Sequence, residues 1–366
     1  MLPFFWRKGK KNISLQSLNY TLQSINRMRR IICFLFLIVL MVGCSKDEVT
    51  PEVDTAPEVD TSGAILFTAS RPSSYITRNM IENVEALQLA GFGVFAYYTG
   101  ASDWSTAGAS TIPNFMYNQR VTWASEQWTY SPVKYWPNNN NRADGSGAIG
   151  SEIKNYLSFF AYAPYKTNEV TYITGFSAND VAGAPTINYT WGADNDLLYA
   201  VQTDRYKYDI NDANDNGRVG DYVPFVFRHA LAKVQFKVRR SNNSQNVTLN
   251  SLGISFNTTG TFNLGTALWS SLSGSGSYVF DAGLFPINVT EVLEANAHVV
   301  GSTIMLIPGS LTTYNVTYTV GGSNFTHTGA LFESGLAPSA NHQYAIIFTI
   351  DGDAIKVDIQ RFTEQW

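Results

Sequence analysis

The sequence predicts an all-β protein with two antiparallel β-sandwich domains in tandem, behind an export signal and a flexible tether. Aromatic residues make up 14% of the 366 residues, charged residues make up only 15%, and there are 28 glycines. That composition favours short strands joined by turns. Residues 232–239 alternate strictly between apolar and polar side chains, which is the period of a strand with one face on a core. Long helical patterns are absent from the sequence, so the fold class is predicted to be all-β.

Residues 1–43 form a signal segment for export. Two arginines precede the apolar run Ile31–Val42, and Cys44 follows that run. A basic region, a short apolar run and a small residue before the cut describe a secretory signal. The run is shorter than the roughly 20 apolar residues that a spanning helix needs. Met28 begins this pattern, and we interpret it as the true start; an unusually long basic region is the alternative.

The position of Cys44 at the cleavage point makes the segment resemble a bacterial lipoprotein signal. The resemblance implies that the Cys44 thiol is acylated and that the chain is lipid-anchored at the outer membrane. The residues Ser45–Glu48 resemble the short acidic signal that sends some lipoproteins to the cell surface. The alternative interpretation is an ordinary cleaved signal with an incidental cysteine.

Removal of the signal leaves a strongly acidic chain. Seven of the 25 Lys and Arg residues, and none of the 29 Asp and Glu residues, lie in residues 1–43, so the remainder has a net charge of −11. An acidic surface argues against nucleic acid as a partner.

The two cysteines are Cys33, inside the signal, and Cys44. The mature chain therefore has no pair of thiols for a disulfide, and its stability depends on core packing.

Residues 44–62 are expected to form a flexible, lipidated tether. The sequence Pro-Glu-Val-Asp-Thr occurs twice, at Pro51–Thr55 and Pro57–Thr61, and large apolar side chains are few. Such a segment buries too little surface to offset the entropy of ordering it. The chain after the signal is long enough for two domains of about 100–200 residues each.

The N-terminal sandwich is assigned to residues 63–222. Its first strand is predicted at Ala64–Thr68. Ile81, Val84 and Leu87 share one face of a short helix. The other strands are recognised by their aromatic and β-branched residues. They are Gly93–Tyr98, Met116–Tyr117, Arg120–Trp123, Trp128–Tyr130 and Leu157–Tyr162.

The C-terminal sandwich is assigned to residues 223–366, after a polar break at Asp204–Asp221. Alternation with a period of two residues predicts four strands here, in sheets packed on one side only. They are Ala232–Arg239, Val316–Val320, Tyr344–Ile350 and Ile355–Gln360. Gly352 predicts a tight hairpin before the last strand, which then completes its own domain. The apolar face of that strand is expected to hold Ile355, Val357, Ile359 and Phe362.

Five segments in a fixed order carry a resemblance to a known family. They are Phe115–Thr122, Trp128–Pro137, Leu157–Tyr165, Asp196–Ala200 and Phe227–Val234. Together they resemble the fimbrillin-like proteins of bacterial type V pili, over most of the mature chain. The resemblance implies two transthyretin-like β-sandwiches and a structural or adhesive role in a fimbria. It also implies other pilus subunits and the outer-membrane lipid as partners.

The resemblance further implies assembly by donor-strand exchange. A protease cuts behind an arginine and frees the slot of the first strand, and a strand from a neighbouring subunit fills the slot. In this chain the removed strand is Ala64–Thr68, and the cut follows Arg71 or Arg78. The family contains stalk, tip and anchor subunits, and several members stay uncut. The final strand is a donor in a stalk subunit and completes its own domain in a tip or accessory subunit.

One loop matches the first half of a calcium-binding site. Asp212, Asn214 and Asn216 supply oxygens at positions 1, 3 and 5, before a glycine that allows the tight turn. Val223 stands where the bidentate acid is needed, and Asp221 is the available substitute in a non-helical loop. The alternative is a connection rich in Asp and Asn, which these residues favour for backbone reasons.

Trp123, Trp128 and Trp136 lie close together in the sequence, with Tyr130 and Tyr135 between them. Aromatic faces stack on sugars, so the cluster suggests a glycan-stacking surface. The corresponding alternative function is a glycan-binding surface lipoprotein that does not polymerise, with host or bacterial glycans or proteins as partners. The other interpretation, which we favour, is that these rings fill a sandwich core.

The sequence does not suggest an enzyme. The four histidines, including His229, stand far apart without metal-ligand spacing, and no nucleophile or phosphate-loop motif stands out. His229 lies in the lead-in to a strand, where we expect a hydrogen-bonded structural histidine. A pair of catalytic carboxylates is not visible from sequence spacing, and the low charge makes it a disfavoured interpretation.

Overall fold

The computed structural model describes residues 63–70, 81, 83–137, 155–206, 222–241, 246–287, 297–331 and 338–365. The first ten strands are β1 Leu66–Ser70, β2 Phe92–Gly100, β3 Met116–Ala124, β4 Gln127–Thr129, β5 Tyr156–Ala163, β6 Ile173–Phe176, β7 Thr186–Thr190, β8 Leu198–Arg205, β9 Tyr222–Val226 and β10 Arg228–His229. The next ten are β11 Ala232–Arg240, β12 Val247–Phe256, β13 Thr259–Asn263, β14 Leu268–Ser273, β15 Gly276–Ile287, β16 His298–Leu306, β17 Leu311–Val320, β18 Ser323–Ala330, β19 His342–Asp351 and β20 Ala354–Gln365. The short helices are α1 Val84–Ala90 and α2 Trp104–Ala107, followed by a 3₁₀ turn at Gly108–Ser110. The predicted all-β fold is confirmed.

Six strands form one antiparallel sheet in the order β10-β8-β5-β2-β3-β4. Its central strands β2 and β5 are apolar on both faces, so the sheet is buried on both sides. Phe92 and Phe159 point into one core, and Phe95 and Phe160 point into the other. The two strands predicted at residues 116–117 and 120–123 are one strand, β3, whose backbone turns into the left-handed region at Asn118 (φ 48°).

The first face of this sheet is covered by the pair β1-β9. Ile65 and Phe67 from β1 and its lead-in join Val223 and Phe225 from β9 in the core over the sheet. The predicted first strand is thus present, displaced by two residues, and Ala64 forms a bridge just before it. β9 begins at the assigned boundary, residue 222, and β10 follows it, yet both pair with strands that precede the boundary.

The second face is covered by a four-stranded antiparallel sheet in the order β14-β13-β7-β6. The hairpin β13-β14 follows the assigned boundary in sequence, and β13 pairs with β7 from before it. Phe262 and Leu264 of this hairpin pack with Ile187 and Tyr189 beneath the six-stranded sheet. The core on this side therefore combines residues from both halves of the chain.

Two more four-stranded sheets, β16-β11-β19-β20 and β15-β12-β17-β18, pack face to face around the C-terminal core. β11 pairs in parallel with β19 and antiparallel with β16, so it is a central strand. Val234, Phe236 and Val238 point into the core, as predicted.

The expectation that the polar face of β11 is open to solvent is wrong. Lys233 and Arg239 are both buried. The Arg239 Nε donates to Thr349 Oγ1 (2.8 Å), and its guanidinium pairs with Asp358 (3.2 Å). Because β11 lies between β16 and β19, side chains of the strands beside it, Thr349 of β19 and Asp358 of β20, reach Arg239 on this face.

The predicted hairpin before the last strand is confirmed, with Asp351 opposite Ala354 and Gly352 at φ 61°. Ile355, Val357 and Ile359 pack against the C-terminal core, as expected. Phe362 packs instead against Ala297, Ala345 and Ile347 on the opposite face. The reason is parity, since residue 362 is an odd number of positions from residue 359 and side chains alternate along a strand.

The predicted short helix is also confirmed as α1, although it begins at Val84, so Ile81 is buried ahead of the helix and not on its face. Asn83 caps it, because its side-chain oxygen accepts a hydrogen bond from Ala86 N (2.7 Å). Leu87 is its buried residue, and the helix ends at Gly91, whose φ of 60° favours glycine. Among the described residues, no helix has the length and apolar character to cross a bilayer.

Candidate functional site: the slot of the first strand

β1 lies in a slot with a neighbour on each edge. On one edge it pairs in parallel with β9 over all five of its residues. On the other edge, Ile65 N–H donates to Lys134 O at 2.9 Å. Trp136 N–H donates to Gly63 O, also at 2.9 Å. The lead-in to β1 is therefore fixed by the segment 134–136, and β1 itself is fixed by β9.

Phe67 fills the apolar floor of the slot. Its ring stacks on Phe225 with centroids 5.6 Å apart, and it lies 5.2 Å from the ring of Tyr130. The rings of Phe92 and Phe159 meet it edge-on at 6.2 and 6.1 Å. Burial of one such side chain contributes about 1.5–3 kcal/mol. Phe67 is therefore the main apolar anchor of β1.

Tyr130 closes the slot from the side of residues 134–136. Its hydroxyl donates to Ile65 O at 2.7 Å, and it accepts a hydrogen bond from Lys134 N at 3.2 Å. Burial raises the pKa of the Tyr130 phenol to about 12, even though the Lys134 hydrogen bond opposes this. The hydroxyl is therefore protonated and able to donate across the physiological range.

β9 has β1 as its strand partner within the described part of the chain. On its other edge it meets side chains of β8, with Gln202 Nε2 donating to Pro224 O at 2.6 Å. Pro224 has no N–H to donate, which suits a strand at a sheet edge. Removal of β1 would leave β9 with an open backbone edge above an apolar slot, and such an edge accepts a new strand.

Several predicted site residues lie outside the described residues. They are the lipidation residue Cys44, the processing residues Arg71 and Arg78, and the calcium candidates Asp212, Asn214, Asn216 and Asp221. The described residues contain no group of three or more His, Cys, Asp and Glu side chains that could hold a metal ion.

The tryptophan cluster lies mainly in the core of the N-terminal half. Trp128 is 7% exposed and packs on Phe92 (4.8 Å), and Trp136 is 6% exposed and packs on Phe159 (5.9 Å). Trp123 is partly buried and meets Trp128 edge-on at 5.3 Å. Trp128 and Trp136 thus offer no open face for a sugar to stack on, and the core interpretation describes them.

His229 is a buried, hydrogen-bonded residue, as its sequence position predicted. Its Nδ1 lies 2.9 Å from Asp196 Oδ1, and its backbone N–H donates to Asn341 Oδ1 (3.2 Å). Asp196 Oδ2 also accepts from Ile81 N (3.3 Å). Sequence reasoning missed Asp196 and Asn341, because they are 33 and 112 residues away from His229 and have no shared motif.

The chain is similar to known proteins in sequence and in fold. The model of the fimbrillin-like family matches residues 77–361. The fimbrium subunit Fim1C of Phocaeicola vulgatus is 31% identical over 206 residues, which are 53% of this chain and 47% of that protein. The chain thus spans about half the length of this curated relative.

Among solved structures, a fimbrial protein from Bacteroides vulgatus is similar, with a TM-score of 0.54 and 23% identity. The alignment covers 83% of this chain and 99% of that one, and the likeness concerns the fold. The family model spans well over half of the sequence and includes β2 to β19. This chain belongs to the fimbrillin-like family.

Proposed function

We propose that the chain is a surface-exposed lipoprotein that forms a structural or adhesive part of a type V pilus and is assembled by donor-strand exchange. Membership of the fimbrillin-like family supports a fimbrial role at the cell surface, alongside other pilus subunits and without catalytic activity. The observation that carries the assembly mechanism is the slot of β1. β1 and its lead-in place two side chains, Phe67 and Ile65, in the core, and β1 pairs with β9 along an edge that another extended strand could occupy in its place.

The physical case rests on what the slot requires. An apolar side chain every second residue fits its floor, and the backbone of any extended segment fits its edges. Residues 71–80, which contain Arg71 and Arg78, connect β1 to the chain ahead of α1. A cut there would separate β1 from the domain that it completes.

The C-terminal strand supports an acceptor role for this chain. β20 forms a tight hairpin with β19 and pairs with it from Asp351 to His342. Its apolar residues Ile355, Val357 and Ile359 already pack on the chain's own core. We therefore propose that β20 completes its own domain, as in a tip or accessory subunit, and that any donor strand comes from another subunit.

The anchor in this proposal is the acylated Cys44, followed by the tether of residues 44–62, and it holds the chain until the cut after Arg71 or Arg78. The proposed alternative, a glycan-binding lipoprotein that does not polymerise, has less support. Two of its three tryptophans, Trp128 and Trp136, are core residues.

The test is a chain with an empty slot. Deletion of Gly63–Arg78 is expected to give a protein that oligomerises or binds synthetic peptides of residues 63–70 or 354–365, measured by light scattering and fluorescence anisotropy. The control is the full chain with Arg71→Gln and Arg78→Gln, which keeps β1 in place and should stay monomeric. A deletion variant that is folded, monomeric and unable to bind either peptide would rule out donor-strand exchange.

A further inference from the structure

Among the described residues, one side-chain hydrogen bond is directed at the backbone of the strand in the slot. The Tyr130 hydroxyl donates to the carbonyl oxygen of Ile65 at 2.7 Å, and Lys134 O, at 3.2 Å, is a longer second acceptor. Ile65 N–H in turn donates to Lys134 O at 2.9 Å. The same hydroxyl accepts from Lys134 N–H at 3.2 Å, so Tyr130 bridges the wall of the slot and the strand inside it.

Packing alone does not require this hydroxyl. The Tyr130 ring already packs on Phe67 at 5.2 Å, and a phenylalanine would make that contact equally well. The hydroxyl lies among partly buried groups, where a carbonyl without a partner is costly. Burial also keeps the phenol protonated, because it raises its pKa to about 12.

The contact sits at the N-terminal end of the slot. Ile65 directly precedes β1, whose remaining backbone bonds run to β9 along the opposite edge. At the far end, Phe227 N–H donates to Ser70 O at 3.0 Å. The strand is thus tied at both ends. On the side away from β9, Tyr130 supplies the side-chain tie, beside the backbone bonds of residues 134–136.

We propose that Tyr130 acts as a clasp that sets how long a strand stays in the slot, whatever the side chains of that strand. For strands other than β1, this inference rests on the proposed exchange of strands. Because the clasp bonds to a carbonyl oxygen that every residue carries, it holds the native β1 and an incoming polypeptide strand alike. Side-chain selection is left to the apolar floor around Phe67.

The experiment compares two Tyr→Phe substitutions on the rim of the slot, in the full chain. Tyr130→Phe removes the clasp and keeps the ring. Tyr135→Phe is the matched control. The Tyr135 backbone forms the bridge with Ala64, and its side chain is 48% exposed, with no hydrogen bond from the hydroxyl to the described part of the chain. Hydrogen exchange of the amides in β1 is measured first on the uncut chain. The chain is then cut between β1 and α1, and release of the strand is followed with a labelled peptide of residues 63–70.

Tyr130→Phe is expected to speed both amide exchange and strand release about tenfold, in line with the loss of one buried hydrogen bond, while Tyr135→Phe leaves both rates unchanged. Equal rates for the wild type and both variants would overturn the clasp. A third outcome separates the two proposals: amide exchange is faster in Tyr130→Phe, but neither the wild type nor either variant releases its strand after the cut. This result would support the clasp and overturn the proposed exchange of strands. If Tyr130→Phe does not fold, 4-fluorophenylalanine at position 130 keeps the shape of the phenol without a donor and gives the same two readouts.

Discussion

Phe67 is the residue on which the seating of β1 depends most. It has four aromatic neighbours and is nearly fully buried. Phe67→Ala is expected to lower the free energy of unfolding by about 3–5 kcal/mol, since large-to-small changes in a core leave a cavity. Urea denaturation followed by tryptophan fluorescence measures the change. Thr68→Ala, on the exposed face of the same strand, is the control and should stay within about 0.5 kcal/mol; an equal loss in both variants would contradict this role.

Buried tyrosines give the fold a predicted sensitivity to alkaline pH. Burial raises the pKa of Tyr130 to about 12, and it raises the pKa of Tyr97 and Tyr162 further still. A phenol with a folded pKa above its unfolded value of about 10 is protonated in both states below that pH, so its contribution is then intact. Stability should therefore be lost as pH rises from about 10 through 12. Urea midpoints at about pH 8 and pH 11 test this, and a constant midpoint would contradict it.

Cys44 carries the membrane anchor in the proposed function. Cys44→Ala is expected to abolish fatty-acid labelling and to release the protein from membranes, because acyl chains supply about 0.8 kcal/mol per buried CH₂. Membrane fractionation and labelling of cells that express the two chains measure the effect. Cys33→Ala, inside the signal, is the matched control and should keep the label. Retention of the Cys44 variant at the membrane, with no label in the wild type, would refute the lipoprotein interpretation.

At the residue scale, residue type and sequence pattern predicted whether a side chain is buried better than they predicted which residue it bonds to. The position of His229 at the start of a strand was enough to predict a structural role, but its partner Asp196 comes from a different part of the chain. The core interpretation of Trp128 and Trp136 followed from their size. The role of Tyr130 could not be predicted, because its acceptor is a backbone oxygen 65 residues away.

Among the elements, β20 offers the clearest test of whether a strand completes its own domain or is donated to another subunit. Truncation after Asp353 removes three side chains that pack on the C-terminal core, and it removes one of the two pairing partners of β19. We expect this truncation to unfold the C-terminal sandwich, as judged by loss of protection from hydrogen exchange in β11 and β17. Truncation after Phe362 keeps those contacts and is the control. A truncated chain that stays folded but fails to join other subunits would instead identify β20 as a donor strand.

The predicted strands were largely correct because alternation reports which faces of a strand are buried. Alternation does not report which other strand pairs with a given strand. The parallel pairing of β1 with β9 and the pairing of β13 with β7 therefore had no sequence signal. The error at Phe362 had a different cause, since counting residues along a strand would have placed it on the other face.

On the scale of the whole molecule, the hairpin β13-β14 joins the two halves. The Trp269 Nε1 donates to Ala230 O (2.7 Å), and its ring packs on Tyr189 and Phe262 at 5.5 and 5.1 Å. Trp269→Ala should destabilise the N-terminal half by about 3–5 kcal/mol, although the residue comes from beyond the assigned boundary. Hydrogen exchange in β2 and β5 measures this effect. Leu268→Ala, at an exposed neighbour in the same hairpin, is the control, and equal protection in both variants would contradict the coupling.

The parallel pairing of β1 with β9 has a mechanical consequence. The proposed tether, residues 44–62, precedes the N-terminal end of β1 in the sequence, and β9 continues into β10 from its C-terminal end. A pull on the tether, resisted by the rest of the fold, therefore acts along the strand axis from opposite ends of the pair. All of the backbone bonds between the two strands then share the load in shear, whereas an antiparallel pair pulled from these same termini would have its bonds opened one after another. A protein tied to a moving surface by its first strand would resist detachment far better in the first arrangement.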